Sequence, residues 1–248
     1  MSPACHYNIC VFILTESPMS NILALDTSTD ACSAALLLNG EMLQRFKIEP
    51  RRHTHLLLPM VEELLAEAGV TLAALDAIAF GRGPGSFAGI RIATGAAQGL
   101  ALAADLPVVP VSTLEAMAFA ADANTGEYLL TALDARMDEV YWCAWQRGSD
   151  GLRALVDEQV CAPSGVLLPD AYAGISFAAL GSGWVYREQM SEGLTEHIAQ
   201  YMTDVYPQAE AMARLADMAV ERGEVVSPDE AQPVYLRDQV AWKKKDQQ

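Results

Sequence analysis

Basic residues, paired cysteines and long hydrophobic runs are all scarce in this sequence. Its 248 residues carry 16 Lys and Arg against 32 Asp and Glu, a formal net charge of −16 at pH 7. So acidic a surface repels the phosphate backbone of nucleic acids. The basic run Lys243–Lys245 lies near the C-terminus and is typical of a solvated tail. Direct, self-sufficient nucleic-acid binding is therefore not expected.

The cysteines and histidines predict neither a disulfide framework nor a metal centre. The cysteines are odd in number and contain no C-x-x-C pair, which favours a reducing compartment. They are Cys5, Cys10, Cys32, Cys143 and Cys161. Four histidines form no H-E-x-x-H motif. His53 and His55 are better explained as polar residues at a helix start than as zinc ligands, and the position of Cys5, His6 and Cys10 argues against a metal fragment there.

The N-terminal segment has no clear structural pattern. Its apolar run, residues 10–14, is too short to span a bilayer and lacks a preceding basic region. We interpret residues 1–18 as an upstream extension, with the fold beginning at Met19. With 52% hydrophobic residues, the remainder predicts a globular, cytoplasmic protein that does not use a membrane.

From Asn21 onward the pattern predicts two related α/β halves. The first, residues 19–121, begins with three strands, and its Asn39-Gly40 pair predicts a tight hairpin turn. An amphipathic helix follows and ends at Gly69. The second half, residues 122–248, repeats the strand–turn–strand opening after a polar stretch. We assign to it a strand at residues 176–180 and the C-terminal helix Ala209–Arg222.

A loop with four glycines separates the strand Asp76–Phe80 from a following helix. The glycines are Gly81, Gly83, Gly85 and Gly89. No lysine completes a phosphate-binding Walker loop, and Pro84 stands where a nucleophile elbow before Ser86 needs glycine. A dinucleotide-binding match at Gly83, Gly85 and Ala88 lacks the acidic residue after the next strand, since Asp105 precedes that strand.

The helix after the loop is unusually apolar. Ser86 is a plausible N-cap for a helix that runs to about Ala104 and carries Arg91 as its one charge. Gly95 and Gly99 each cost about 1 kcal/mol relative to alanine in a helix interior. Because a surface helix normally shows a polar face, we expect this one to be buried on two sides. The second side faces either the chain itself or a partner.

Four segments together resemble one known family. They read `ILALDTSTDACSAALL`, `FGRGPGSFAGIRIATGAAQGLA`, `LDARMDEVYW` and `PVYLRDQVAWKK`, and they are similar to the TsaB (YeaZ) family of bacterial tRNA threonylcarbamoyladenosine biosynthesis proteins. The resemblance runs from Met19 to about Lys244. Ala88 departs from it, because the family motif usually reads Ser-Phe-Thr-Gly. The resemblance implies the duplicated α/β fold shared by actin, Hsp70 and sugar kinases (the ASKHA fold).

The resemblance also implies where a nucleotide would sit if this were an active member of that fold. The phosphate-contacting hairpin turns would be Asp26-Thr27-Ser28 and Asp134-Ala135-Arg136. Active members usually keep glycine there, so that backbone amides can approach the phosphates. This chain has Ser28 in the first turn and the bulky Arg136-Met137 pair in the second. We therefore expect both to be degenerate nucleotide positions, the second one filled.

A comparison with the related TsaD family implies that this chain is a non-catalytic paralogue. TsaD proteins carry metal-binding histidines in an N-H-M-E-G-H segment, which matches residues 112–117 here. Thr113 and Met117 stand at the two ligand positions, and neither replaces imidazole as a metal ligand. A structural role at the helix start is expected for Glu115. The implied cofactors, ATP and a metal, would come only through partner proteins.

The resemblance implies that TsaD is the partner, engaged through the N-terminal halves of both proteins. TsaE would join as an ATPase, tRNA would be bound indirectly, and a homodimer is possible when the chain is alone. The expected partner-binding residues are Leu57, Met60, Val61, Leu64, Arg91, Gly95 and Gly99. Two alternatives remain: an ATP-dependent small-molecule kinase that uses Asp26 or Asp134 with magnesium, and a metallopeptidase.

Overall fold

The computed structural model describes residues 19–149 and 151–237 and contains two mixed β-sheets with helices around them. The predictions made for residues 1–18, including Cys5, His6 and Cys10, lie outside the described residues, as does the prediction for Lys243–Lys245.

The first sheet is built on a three-stranded antiparallel meander. Its strands are β1 (Ile22–Asp26), β2 (Ala31–Leu38), β3 (Glu41–Ile48), β4 (Ala77–Gly83) and β5 (Val108–Ser112), in the order β3-β2-β1-β4-β5. β4 and β5 extend it in parallel from β1. Asn39 and Gly40 turn the β2–β3 hairpin with φ values of 51° and 85°, the left-handed pair that such a two-residue turn requires. The predicted hairpin is confirmed.

The second sheet repeats the first strand for strand. Its strands are β6 (Tyr128–Arg136), β7 (Glu139–Gly148), β8 (Gly151–Ala154), β9 (Gln159–Cys161), β10 (Phe177–Leu180) and β11 (Ile198–Met202). β6, β7 and β8 form the antiparallel meander, and β10 and β11 extend it in parallel from β6, in the order β11-β10-β6-β7-β8. β9 is the addition and pairs with β7.

Helices cover both faces of the first sheet. The helices of the described residues are α1 (His53–Ala68), α2 (Phe87–Ala104), α3 (Thr113–Ala120), α4 (Glu192–Thr195) and α5 (Ala209–Glu221). α1, α2 and α5 pack on the first sheet, whereas α4 packs in the second half. Alternate residues of β1 point to opposite faces: Leu23 and Leu25 pack under α1 and α2, whereas Ile22 and Ala24 pack under α5. β1 is consequently buried along its whole length.

The predicted helix limits agree closely with the structure. α1 ends at Gly69, which has the left-handed conformation of a C-cap, and the Ser86 side chain accepts a hydrogen bond from the Gly89 N–H at the start of α2. The two α/β halves are confirmed, and their common strand order is that of the duplicated actin, Hsp70 and sugar-kinase fold.

The assignment of the C-terminal helix to the second half is wrong. α5 packs on β1, β2, β4 and β5 of the first sheet. Small side chains such as Ala209, Ala213 and Ala216 let it lie close to the second face of that sheet, which would otherwise be open to water. The chain then continues across the first half, where Ala231 is fully buried beside α1 and α2. Sequence order therefore does not follow spatial order at this end.

Candidate functional site

α2 presents to solvent a largely apolar face, on which Tyr235 packs only at the N-terminal end. Phe87 and Leu102 are 59% and 76% exposed. Between them lie the exposed Arg91, Gly95 and Gly99, and a Cβ added to either glycine would meet no atom within 4 Å. We call Phe87, Arg91, Gly95, Gly99 and Leu102 the outer face of α2. The sequence predicted that α2 is buried on two sides; within this chain it is buried on one side only.

The inner side of α2 is part of the main core. Ala93, Ala97 and Ala101 are fully buried against the first sheet. These small side chains bring α2 close to the strands beneath it. Gly95 and Gly99 point the other way, so the packing of this chain gives no reason for their lack of a side chain.

The expectation that Leu57, Met60, Val61 and Leu64 belong to a partner surface is wrong. All four are at most 4% exposed and pack in the core beneath α1 and α2. They form the regular apolar stripe of α1, and in an amphipathic helix on a sheet that stripe faces the strands. The outward side of α1 instead carries acidic residues and Leu58, which is 47% exposed.

Arg91 is held in place at the start of the outer face. Its guanidinium lies 3.9 Å from the centre of the Phe87 ring and 5.5 Å from that of Tyr235, both within the range of cation–π attraction. Its Nε donates a 2.7 Å hydrogen bond to the Tyr235 hydroxyl. Tyr235 belongs to the segment 231–237, so the C-terminal part of the chain sets the orientation of a residue on α2.

The glycine loop packs directly on the first hairpin turn. A Cβ at Gly85 would clash with the Ser28 carbonyl oxygen, and one at Gly89 would clash with that of Thr27. Hydrogen bonds join the same segments: the Ser86 N–H donates to the Ser28 carbonyl at 2.7 Å, and the Thr27 hydroxyl donates to the Gly89 carbonyl at 2.7 Å. These glycines therefore serve close backbone approach within the chain.

The first turn is closed to a phosphate by these contacts. Asp26, Thr27 and Ser28 are at most 1% exposed. The Ser28 N–H and hydroxyl both donate to Asp26 Oδ1, at 3.2 and 3.0 Å. Asp26 Oδ2 is buried without a hydrogen-bond partner among the described residues. Burial raises the pKa of this carboxyl from 3.8 to about 7, against the opposing effect of the Ser28 hydrogen bonds.

The second turn has the same hydrogen bond between a backbone N–H and its aspartate, but it is more exposed to solvent. The Arg136 N–H donates to Asp134 Oδ1 at 2.8 Å, and the Arg136 guanidinium pairs with Asp134 Oδ2 at 3.0 Å. Arg136, Met137 and Asp138 all have φ near +60°, which is costly for residues with a side chain. The Arg136 N–H is therefore occupied by its hydrogen bond to the Asp134 carboxylate. The Arg136 side chain does not itself fill the turn, because it is 75% exposed.

Both turns line one cleft between the halves. It encloses about 340 Å³, and Ser28 and Thr29 face Asp134, Ala135 and Arg136 across it. The fold thus brings together the two turns that the sequence analysis selected. Residues that the sequence analysis did not select also line the cleft. They include Tyr141, Ser182, Tyr206 and Arg237.

Arg237 holds the second turn from the C-terminal segment. Its guanidinium donates to the carbonyl oxygens of Ala135 and Arg136 and pairs with the Glu139 carboxylate. Upstream, the Val234 N–H donates to the Arg82 carbonyl at 2.7 Å. The segment therefore bridges the glycine-loop strand and the second turn. Sequence reasoning could have found this residue only through the `YLRD` motif, because no local pattern points to its distant partners.

α3 places the residues that correspond to the TsaD ligand positions in its buried face. Thr113 and Met117 are both fully buried, and Met117 packs with residues of the second sheet. Glu115 lies in the first turn, where its N–H donates to the Ser112 hydroxyl. Burial, and next the nearby Glu158 carboxylate, raise the pKa of Glu115. Its expected place at the helix start is confirmed.

The remaining candidate groups are dispersed. His53 Nε2 lies 2.8 Å from the Thr29 carbonyl oxygen and His55 is exposed, so the two do not converge. Asp105 caps the C-terminal end of α2. Within residues 19–149 and 151–237, no group of three His, Cys, Asp or Glu side chains is placed to share a metal ion. Burial raises the pKa of the Cys32 thiol to about 12, which disfavours the thiolate.

Comparisons with known proteins agree on one family. Residues 47–245 match the family model described as TsaD, tRNA N6-adenosine threonylcarbamoyltransferase. The proteins named tRNA threonylcarbamoyladenosine biosynthesis protein TsaB from Haemophilus influenzae and Escherichia coli are each 42% identical over 90% of this chain, and cover 96% and 97% of their own lengths. The solved structure titled YeaZ from Pseudomonas aeruginosa superposes with a TM-score of 0.82 at 46% identity, over 88% of this chain and all of that one.

A two-halved α/β protein with a buried first hairpin turn and an open helix face is thus matched over nearly its full length by proteins of tRNA modification. The chain belongs to the TsaB (YeaZ) family of tRNA threonylcarbamoyladenosine biosynthesis proteins. The expected resemblance is confirmed.

α2 also meets the length and composition of a membrane-spanning helix, the one helix of the described residues to do so. Its buried stripe packs against the first sheet, and core helices of globular domains pass the same criterion.

Proposed function

We propose that this chain is a non-catalytic scaffold subunit that binds a TsaD-family protein through the outer face of α2. Together with the ATPase TsaE, the pair would install the threonylcarbamoyl group on the adenosine adjacent to the anticodon of ANN-decoding tRNAs. The observation that carries the proposal is the open position of Gly95 and Gly99, which this chain's own packing does not use. Small residues allow helix axes to approach to the low end of the usual ~8–10 Å range.

The two hairpin turns support a non-catalytic role. The Ser28 and Arg136 N–H groups each donate to an aspartate of their own turn, so neither is free to hold a phosphate. Asp26, one of the two aspartates that the kinase alternative would use with magnesium, is fully buried behind the glycine loop. The other, Asp134, is paired with the Arg136 guanidinium. ATP and the metal ion would be bound by the partners. The net charge of −16 supports indirect rather than direct contact with tRNA, and the cytoplasm is the proposed location.

Gly95→Leu tests the proposal directly. A leucine there projects from the outer face and separates the two proteins, which costs about 1–3 kcal/mol through overpacking, or about 5- to 150-fold in Kd. Monomer stability should stay the same or rise, because leucine is the better helix former. The measurements are the Kd for the TsaD-family protein, co-elution in size-exclusion chromatography, and the thermal midpoint of the chain alone.

Gly193→Leu is the matched control. Gly193 is an exposed helical glycine in α4 with the same open surroundings, but it lies in the second half. It should leave the Kd unchanged. Absence of co-elution by the wild-type chain, or equal affinities of the two variants, would refute the proposal. A collapsed midpoint for Gly95→Leu would show that this glycine faces the chain's own core. A homodimer of the free chain through the same face would also be lost in Gly95→Leu and retained in Gly193→Leu.

A further inference from the structure

Arg91 offers a guanidinium that is rigidly held and only partly used. Its guanidinium carbon lies 3.9 Å from the centre of the Phe87 ring, and Nε donates to the Tyr235 hydroxyl at 2.7 Å. Its two terminal nitrogens have no hydrogen bond or ion pair within the described residues. The ring contact and the Nε hydrogen bond remove most of the conformational freedom that an exposed arginine would lose on binding. The remaining donors are therefore ready for a planar acceptor.

The charge of Arg91 is also not neutralised locally, although the chain is strongly acidic overall. α2 and the glycine loop contain no Asp or Glu. Most of the other arginines in the described part of the chain pair with its own carboxylates. Such pairs involve Arg45, Arg52, Arg82, Arg136, Arg214, Arg222 and Arg237. Arg91 thus places an isolated positive charge in the outer face of α2.

A groove lined mainly by apolar side chains lies beside the Arg91 guanidinium. It encloses about 620 Å³ between the glycine loop, the start of α2 and the C-terminal segment. Its walls include Pro84, Ile90, Val234 and Leu236. An apolar surrounding lowers the local dielectric once a partner excludes water, which strengthens an ion pair. Arginine and aromatic side chains in such desolvated pockets are the usual energetic centres of protein interfaces.

We propose that Arg91 anchors the partner by a bidentate ion pair with an Asp or Glu carboxylate of the TsaD-family protein. An apolar side chain next to that carboxylate enters the groove along Phe87 and Tyr235. Tyr235 acts as a positioning residue, because its hydroxyl orients the guanidinium without itself meeting the carboxylate. This inference rests on the proposed function, and it adds the chemistry that the partner must present.

The test is the Kd between the full chain and the TsaD-family protein of the same organism, measured from 50 to 500 mM NaCl. Arg91→Gln should weaken binding about 10- to 100-fold at low salt, the scale of a charge-assisted hydrogen-bonded pair, and should flatten the salt dependence. Tyr235→Phe keeps the ring and should cost less, with the salt dependence retained. Arg214→Gln, on the opposite face of the first sheet, is the control and should bind as the wild type does.

The outcomes separate this inference from the proposed function. If the wild-type chain does not bind, the proposed function fails and this inference fails with it. If the wild type binds and Arg91→Gln binds within twofold, or keeps the wild-type salt dependence, only the carboxylate anchor is overturned. The thermal midpoint checks that each variant folds. If Arg91→Gln is unstable, Arg91→Lys replaces it in the test. The proposal then requires weaker binding with a preserved salt dependence, because lysine keeps the charge but lacks the paired N–H donors of the guanidinium.

Discussion

Replacing Asp26 by asparagine is expected to remove a pH dependence of stability from the first half. The folded-state pKa of this carboxyl is about 7, against 3.8 in its ordinary setting. Between these values the folded protein keeps a proton that the unfolded chain has released. Stability is therefore lost as the pH rises from about 4 to about 7, and stays at the lower level above that.

The size of this effect follows from the shift. About three pKa units correspond to about 4 kcal/mol, a large part of the 5–15 kcal/mol that is typical of a domain. The cause is a fully buried Oδ2 without a hydrogen-bond partner. Asparagine has nearly the same shape, its oxygen can still accept from Ser28, and it cannot ionise. Asp26→Asn should therefore be more stable than the wild type at pH 8, and this difference should become much smaller at pH 4.5.

Urea unfolding followed by far-UV circular dichroism, which reports on both halves, gives the free energies of unfolding at pH 4.5, 6, 7 and 8. Asp30→Asn is the control, because Asp30 is an exposed carboxyl next to the same turn; this variant keeps Asp26 and should keep the loss of stability that Asp26 causes. Other titrating groups are common to all three proteins and cancel in the differences. Parallel pH profiles for wild type and Asp26→Asn would refute the assignment of a buried, protonated Asp26.

Three further predictions follow from the loop, the N-terminus and the turns. Gly89→Ala should destabilise the chain by about 2 kcal/mol, because the added Cβ meets the Thr27 carbonyl oxygen. Gly99→Ala should stabilise it by about 1 kcal/mol, because alanine is the better helix former. Equal free energies of unfolding for the two variants would contradict this. A chain beginning at Met19 should keep its thermal midpoint within a few degrees and its affinity for the TsaD-family protein, and a large loss in either would contradict the view that residues 1–18 are dispensable. The isolated chain should bind neither ATP nor a transition metal tightly, which a micromolar ATP Kd by calorimetry or one metal per chain by elemental analysis would overturn.

Local signals in the sequence predicted most of the fold. Asn39-Gly40 predicted the hairpin, Gly69 the end of α1, and Ser86 the start of α2, because each residue type meets a backbone requirement within a few positions. The repeat of the strand–turn–strand opening predicted two halves. All of these signals depend on the backbone geometry of a few consecutive residues, which the local sequence specifies directly.

Long-range packing could not be predicted in the same way. The periodicity of α1 shows that an apolar stripe exists but does not say whether a sheet or a partner covers it, and the structure assigns Leu57 to the sheet. Gly85 and Gly89 are needed because the loop meets residues 27 and 28, which are about sixty positions away in the sequence. The packing of α5 on the first sheet and the contacts of Arg237 with the second turn likewise depend on the path of the whole chain.

The two halves share one arrangement at the first turn, and the difference that follows it explains where an open helix face arises. In each half an aspartate at the end of the first strand accepts from the N–H two residues on, and a glycine-containing loop packs against that strand end. After its loop the first half continues into the eighteen-residue α2, whereas the second half forms an eight-residue 3₁₀ segment, Ser182–Gln189, that packs on β6. A long helix buries one stripe of side chains against the sheet and leaves a second stripe exposed, whereas a short segment packed on its own strand exposes much less surface. The asymmetry of the duplicated fold therefore leaves its long open apolar helix face on the first half, where Gly95, Gly99 and Arg91 lie.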